Sequence, residues 1–415
     1  MKKFRTLLSL LIFTFQGVTA QWPGALNPYF LDNDKKSLVG ISSDAFFGSE
    51  AITNGLVTDY IQHRFITNDV KADAESKLTD YNRLEAFFNG SIDFAFRKDT
   101  GKFNIIGTLQ HHFFLDSRFS STLFELYFRG NRRFAGETAW VGSCNLQSIL
   151  YYQVGFGISG KSVNEKTSWF ALGSAYFGHE MLDVKTGEWT SLYTAPDGSY
   201  IDADLDVRFI RSDSTNIRPM AVNGLGAGLS GGFFHSFSKK WKLNASVKNL
   251  GFIVFNQKTA QARIDTAFRF EGIDVRELFS LNDSIRVFEN DSSYVEAYFT
   301  GREEKKHTRM VPGHVDVSIE KKFINTSYSA SIGSRMYFTK IANPMIWLEG
   351  SKKINSHTLR VRMRYGGYTG LNFGLAYGLE SSGFKLDVGS DVLSSWLSNG
   401  KGTAMGAFVS LSKTF

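Results

Sequence analysis

Cysteine is almost missing from this chain: one residue, Cys144, in 415. That excludes a disulfide scaffold, and an exported location would bring no intrachain bridge. Proline is nearly as scarce, six residues where an average chain carries about 5%, so few backbone N–H groups are withdrawn from hydrogen-bonded ladders. After the N-terminus no apolar run approaches the roughly 18 residues that a spanning helix needs. What is abundant is aromatic: 38 Phe, 16 Tyr and 7 Trp, beside 39 Gly. Such a load excludes a disordered chain. The mean hydropathy is nevertheless −0.17, which requires apolar and polar residues to be finely interleaved.

The first twenty residues depart from that pattern. Lys2, Lys3 and Arg5 precede the apolar stretch from Leu7 to Phe15, and Val18, Thr19 and Ala20 supply small residues before Gln21. This order is expected of a secretory signal peptide over residues 1–20, cleaved after Ala20 and too short for a permanent anchor. No Cys follows the cleavage point to take a lipid. Losing three basic residues lowers the net charge from +7 to about +4, too small an excess to point to a nucleic-acid partner.

Beyond residue 35 the apolar period is two. Phe88, Gly90, Ile92, Phe94 and Phe96 hold one parity; Asn89, Ser91, Asp93, Ala95 and Arg97 hold the other. Successive strand side chains point to opposite faces, so such a segment has one apolar and one polar surface. Tyr152, Val154, Phe156 and Ile158 repeat the pattern against Gln153, Gly155, Gly157 and Ser159, as do Met405, Ala407, Val409 and Leu411 against Gly406, Phe408, Ser410 and Ser412. A soluble sandwich alternates as well. Runs of roughly 9 to 13 residues suit a tilted membrane crossing better than the five or six of a typical soluble strand. Glycine and small polar residues crowd one parity, as facing a watery or plugged lumen requires. The chain closes on Phe415, with Lys413 interrupting the apolar parity.

Fourteen strands are predicted, at 37–47, 86–98, 102–114, 147–159, 167–178, 224–237, 241–255, 314–323, 327–338, 343–353, 356–365, 371–379, 384–391 and 403–415. An even count is what single-chain bacterial barrels have. The expected fold class is all-β: a transmembrane antiparallel β-barrel over residues 21–415, with short helices at the mouth or in the lumen. Helical spacing marks Gly55 to Ile66 and Asp69 to Leu78 within an insert at 50–82. A further helix is expected from Ser117 to Arg129, capped by Asp116, with Phe119, Leu123, Leu126 and Tyr127 on one face. An extra hairpin over 186–212 turns at Pro196, Asp197 and Gly198, and the polar stretch 258–312 reads as a long solvated loop. Trp169, Tyr337, Trp347 and Trp396 lie near strand ends and are expected in interfacial girdles.

Several motifs invite a chemical reading. Gly155, Gly160, Lys161 and Ser162 satisfy the P-loop spacing, but an alternating strand follows where that motif needs a helix, so no nucleotide is expected. Gly226, Gly228 and Gly231 match a dinucleotide fingerprint, and Ser230 sits in a nucleophile-elbow pattern. Both motifs demand a strand–turn–helix, and both lie inside one strand where glycine serves close packing or a bend. His179 and Glu180 begin a metalloprotease-like motif whose second His is replaced by Asp183. Adjacent His111 and His112 must face opposite sides of a regular strand. Asp202, Asp204 and Asp206 share one strand face and form a candidate cation site, with the wet face of an amphipathic ribbon, compensated by Arg208, as the plain alternative. No catalytic constellation and no cofactor site emerge.

Several segments, taken in order, resemble a family of Bacteroidota outer-membrane barrels neighbouring the PorP/SprF family of the type IX secretion and gliding apparatus. Leu26, Asn27 and Pro28 are similar to its opening "LNPA", with Tyr29 a departure. Gly130 and Asn131 followed by Phe134 and Gly136 are similar to "GN..F.G". Asn223 to Gly226 leading to Leu250, Gly251, Phe252 and Ile253 resembles the segment ending "DLGFI", with Asn249 in place of the acid. Phe270, Gly272 and Asp274 resemble "F.G.D". The resemblance implies an exported, non-enzymatic barrel with no catalytic residue to carry over. The expected function is a structural or docking component of the outer membrane, linked to surface-protein export. Its partners would be outer-membrane lipid and secretion or surface proteins, with no nucleic acid and no nucleotide. The alternative is a FadL-like passive transporter of hydrophobic or small solutes.

Overall fold

The computed structural model describes residues 37–97, 103–271, 300–323, 326–339 and 342–415. The leader expected at 1–20, the Leu26–Pro28 motif, and Gly272 and Asp274 lie outside the described residues. In chain order the first strands are β1 (Leu38–Ser49), β2 (Tyr81–Phe96), β3 (Phe103–Ser120), β4 (Thr138–Trp140), β5 (Asn145–Lys161) and β6 (Thr167–Thr186). Next come β7 (Ser191–Thr194), β8 (Ile201–Arg211), β9 (Gly224–Ser236), β10 (Trp241–Phe255), β11 (Ala260–Phe270), β12 (Thr300–Glu304) and β13 (His307–Met310). The last are β14 (His314–Lys322), β15 (Tyr328–Tyr337), β16 (Met345–Ile354), β17 (His357–Gly366), β18 (Thr369–Ser381), β19 (Phe384–Ser390) and β20 (Ala404–Thr414).

Fourteen of these make a closed antiparallel wall in the order β1-β2-β3-β5-β6-β9-β10-β14-β15-β16-β17-β18-β19-β20, and β20 pairs back onto β1 from Leu38↔Thr414 to Gly48↔Ala404. Closure leaves no edge in lipid, where an unpaired backbone group costs several kcal/mol. Parity follows the sequence pattern. Ile92, Phe156, Leu229, Ile332 and Val361 stand exposed on the outside, where the surrounding solvent is hydrocarbon. Asn89, Asp93, Gln153, Ser230 and Arg335 are on the inward parity. His112 is inward and buried, whereas its neighbour His111 turns outward onto Tyr152 and Phe88. Lys413 rests against Phe384 and Phe415, 4.8 and 5.0 Å from the ring centres, so the residue that breaks the apolar parity snorkels at the rim.

The two ends of the barrel differ. Connections beside the termini are short, and at Ser382–Gly383 both residues have positive φ (48° and 83°), as a tight hairpin requires. Among the described residues the α-helices and the non-wall strands stand at the other, loop end: α1 (Asn54–Ile61), α2 (Asn68–Glu75), α3 (Ser121–Arg129) and α4 (Leu393–Trp396). The first three are capped by Thr53, Thr67 and Ser120, whose hydroxyls accept the N–H groups of Leu56, Val70 and Leu123. This corrects the expectation at Asp116. Ladders to β2 and β5 hold residues 116–118 extended, β3 runs on to Ser120, and Asp116 is a buried inward strand residue. The buried face of α3 is correspondingly rotated. Phe124 is buried and Phe128 packs with it against Phe47, Ile52, Leu56 and Ala74, while Leu123 and Tyr127 are exposed.

The stretch read as a loop at 258–312 is largely strand where it is described. β11 pairs with β8 from Ala260↔Arg211 to Phe270↔Ile201, and with β12. Its signal was an alternation of Ala262, Ile264, Thr266 and Phe268 with Arg263, Asp265 and Arg269, hidden by high charge. β7 and β8 form the hairpin at 186–212, and β4 adds to β7. These strands grow from the wall itself: β6 pairs with β9 over Thr167–Gly178, then with β8 over Leu182–Thr186. Twelve residues at the usual rise and tilt span about 30 Å, one hydrocarbon thickness. The later part of β6 therefore stands clear of the membrane.

Candidate functional site

The lumen is filled by the chain's own side chains. Toward the loop end, Phe114, Ile149, Tyr151, Tyr176, Met181, Ile210, Ile253, Phe255 and Val311 form one buried cluster. Glycine and small polar residues are expected to be frequent on the inward face; the inward parity turns apolar as it nears this end. The glycines of β9 make room for it. A Cβ at Gly226 would lie 2.0 Å from the Phe252 carbonyl oxygen, and one at Gly228 would lie 2.5 Å from the Tyr176 hydroxyl. The dinucleotide-like and elbow-like spacings are thus packing features. Ser230 Oγ accepts the Asn249 N–H at 2.9 Å, at a bulge where Asn249 has φ 56°.

On the opposite wall β17 projects Arg360, Arg362 and Arg364 inward. Arg362 pairs with Glu349 on β16, Arg360 with Asp387 on β19, and Arg364 Nη1 donates to Asp391 Oδ2 at 2.6 Å. Two of these pairs skip β18, which passes beneath them as Gly374, Ala376 and Gly378; a Cβ at Gly378 would stand 2.7 Å from Asp387 Oδ1. Arg335 forks onto Asp316 at 2.7 and 2.9 Å, both groups buried. Tyr368, in the turn after β17, reaches across to Asp116 Oδ2 on β3 at 3.4 Å. Between these groups remains a cavity of about 190 Å³ lined by Asp93, His112, Gln153, Lys248, Asn244 and Phe170 among others. Tyr337 lines this cavity, and Trp347 is buried beside the arginines. Both were expected in outer girdles, but they share inward parity with Arg335 and Glu349, and Trp347 lies under Arg362 with the guanidinium 5.4 Å from its ring centre. Trp169 faces outward against Phe103, and Trp396 is exposed on α4.

The remaining sequence candidates scatter. Lys161 ends β5, and Ser162 opens a turn to β6, its Oγ donating to Asn164 Oδ1 at 2.6 Å. His179 donates from Nδ1 to the Ala221 carbonyl at 2.7 Å, with Glu180 3.6 Å away. Asp183 is held by Arg309 at 3.1 Å and Lys185 at 3.3 Å. Among the described residues no three His, Cys, Asp or Glu side chains gather around one metal-sized position.

A second feature lies outside the wall, where β4, β7, β8 and β11 make a four-stranded face. Cross-strand rows bring Trp140, Ser191, Asp204 and Ala267 into line, and beside them Thr138, Tyr193, Asp202 and Arg269. An open cleft of about 490 Å³ runs between Trp140, Tyr193 and Arg269. Asp202 accepts two hydrogen bonds from Arg269, at 2.7 and 2.9 Å, and Asp206 one from Arg263 at 2.9 Å. The compensating cations thus come from β11 rather than from Arg208. The hydrogen bond from Arg269 holds the Asp202 carboxyl below its usual range. Asp204 makes no ion pair or hydrogen bond among the described residues, and it is exposed.

Comparison with known proteins adds a family. The model of a family of unknown function, DUF5723, matches residues 33–391. The chain belongs to this family. No curated protein sequence matched. Among solved structures, the toluene transporter TodX of P. putida aligns over 96% of both chains at 8% identity and a TM-score of 0.47. The toluene transporter TbuX of Ralstonia pickettii covers 92% of this chain and 90% of its own, at 10% identity and 0.46. A Pseudomonas aeruginosa FadL homologue covers 93% and 91%, at 10% identity and 0.44. The DUF5723 chain is similar to these in having an outer-membrane type of β-barrel; toluene belongs to the names of those proteins alone.

Proposed function

We propose that this DUF5723 protein is a non-enzymatic docking component of the outer membrane, linked to the export or anchoring of surface proteins. One observation carries the reading: wall strand β6 outruns the membrane and continues as the root of a ribbon, beside a helical cap with its own small core. In bacterial barrels the short turns face the periplasm and the longer loops face outward, and this rule supports a cell-surface position for ribbon and cap. Inside, the buried cluster fills the lumen toward that end, and the Arg–carboxylate pairs from Arg360 to Arg364 occupy one wall along its depth, leaving the outer surface of the loop end to meet a partner. The likeness of the motifs around Gly130, Asn223 and Leu250 to the PorP/SprF neighbourhood supports the secretion link. Outer-membrane lipid is the other partner, met by the exposed apolar parity.

Affinity purification from native membranes tests this, beside solute uptake in a deletion strain. A reproducible large complex with unchanged uptake is expected. A solute-specific uptake defect without protein partners would overturn docking in favour of the second reading, passive transport of small solutes. That reading draws on the 190 Å³ lumenal cavity, whose lining mixes Phe170 and Leu172 with Lys248 and Asn244.

A further inference from the structure

We propose that the cleft between Trp140, Tyr193 and Arg269 is a receptor for one guanidinium or ammonium group, carried on a basic side chain of a partner polypeptide. The floor of the cleft is made of small residues, Ser191 on β7 and Ala267 on β11, with Asp204 between them in the same cross-strand row. Trp140 stands at the end of that row, half exposed, with Trp189 edge-on to it at 6.2 Å. The adjacent row shows what such a face accepts. There the Arg269 guanidinium forks onto Asp202 and lies over the Tyr200 ring, 3.8 Å from its centre. A carboxylate for the charge and an aromatic face for the plate are the two parts of guanidinium recognition. One row over, Asp204 and Trp140 repeat both parts with no cation from the described residues between them.

Charge selects the ligand. Within the lining, Asp202 is neutralised by Arg269 and Asp204 is left over, so the cleft presents one uncompensated negative charge beside aromatic rings. A neutral sugar would use the rings and leave that carboxylate uncompensated. A metal ion would lack ligands, because Asp202 and Asp206 are already committed to arginines. A Lys or Arg side chain satisfies both features. Assigning it to a polypeptide deepens the docking reading and rests on it; the cleft's cation preference does not.

The test is calorimetric titration of the full-length protein in detergent with the peptide Gly-Ser-Arg-Ser-Gly and its citrulline counterpart, which keeps the shape and loses the charge. Saturable binding of the arginine peptide is expected. It should be weakened at least ~5-fold by citrulline, by Asp204→Asn and by Trp140→Ala, and weakened by added salt. Asp204 and Trp140 are exposed, and heat-modifiable migration of each variant checks that the barrel is intact. Equal binding of the citrulline peptide, indifference to Asp204→Asn, or saturation by a disaccharide or Ca²⁺ in place of the peptide would overturn the proposal. A cation-selective cleft in a protein that yields no native complex would refute docking while leaving the cleft standing; a complex that survives Asp204→Asn with no peptide binding would do the reverse.

Discussion

At the scale of single residues, the lumen is governed by the cost of burying charge. Arg335 and Asp316 are both buried and share two short hydrogen bonds. Removing one partner strands the other, which typically costs about 3–5 kcal/mol, whereas an apolar pair of similar volume is close to neutral. Arg335→Met should therefore lower the urea midpoint of the reconstituted barrel strongly, and Arg335→Met with Asp316→Leu should recover most of the loss; additive losses would show that the pair is not coupled. Glycine gives a second comparison on one strand. Gly226→Ala drives a Cβ into the Phe252 carbonyl and should cost about 1–3 kcal/mol, while at outward Gly231 the nearest contact is 3.4 Å and little change is expected in the same assay. That His111 and His112 face opposite sides was legible from parity alone; that His112 is the inward one follows from its hydrogen-bond partners Asn89 and Gln153. Trp347 was legible too, since it shares parity with Glu349 and Ser351; proximity to a strand end was the poorer guide. The partners of the arginines were not legible. Arg360 and Asp387 are 27 positions apart and meet only because β18 is small where it passes between them.

At the scale of elements, alternation placed the wall strands, and the misreadings cluster at the loop end, where short elements depend on tertiary contacts. Helices of eight or nine residues are marginal alone, and these are held by Phe124 and by Arg129, which forks onto Glu75 at 2.6 and 2.9 Å and joins α2 to α3. That hydrogen bond keeps the Glu75 carboxyl below its ordinary 4.5. A lowered carboxylate contributes stability that is present above its unfolded value and lost as pH falls through the folded one. The helical cap should accordingly loosen as pH falls below the ordinary glutamate range while the wall persists, read as faster amide exchange in 54–75 and 121–129. Glu75→Gln should loosen the cap already at neutral pH and flatten the acid dependence; exchange in the cap that ignores both changes would exclude this tie. β11 escaped recognition because its charged parity looks like loop, although Arg263 and Arg269 are spent on Asp206 and Asp202 across the ladder.

At the scale of the whole molecule, closure and filling make separate predictions. A closed fourteen-strand wall should resist detergent when cold and migrate differently after boiling, and the protein should be recovered with outer membranes; soluble recovery without a heat shift would contradict the barrel. A lumen occupied by the Tyr151 and Tyr176 cluster and spanned by Tyr368 to Asp116 should give no steady conductance step in planar bilayers. Tyr368→Ala combined with Arg364→Ala should raise conductance if the loop end is the barrier; an open channel in the unmodified protein would show that it is not.

The continuity of β6 has a mechanical consequence. Ladder hydrogen bonds lie across the strand direction, and β6 runs from Thr167 in the wall to Thr186 in the ribbon without a break in the chain's extended course. A tug on the ribbon directed away from the cell is drawn along the strand, so the bonds from β6 to β5 and β9 are sheared together instead of being peeled one after another. Traction is spread over a dozen rungs and passed on to neighbouring staves. A tether clipped to the ribbon would thus be anchored as firmly as the wall itself.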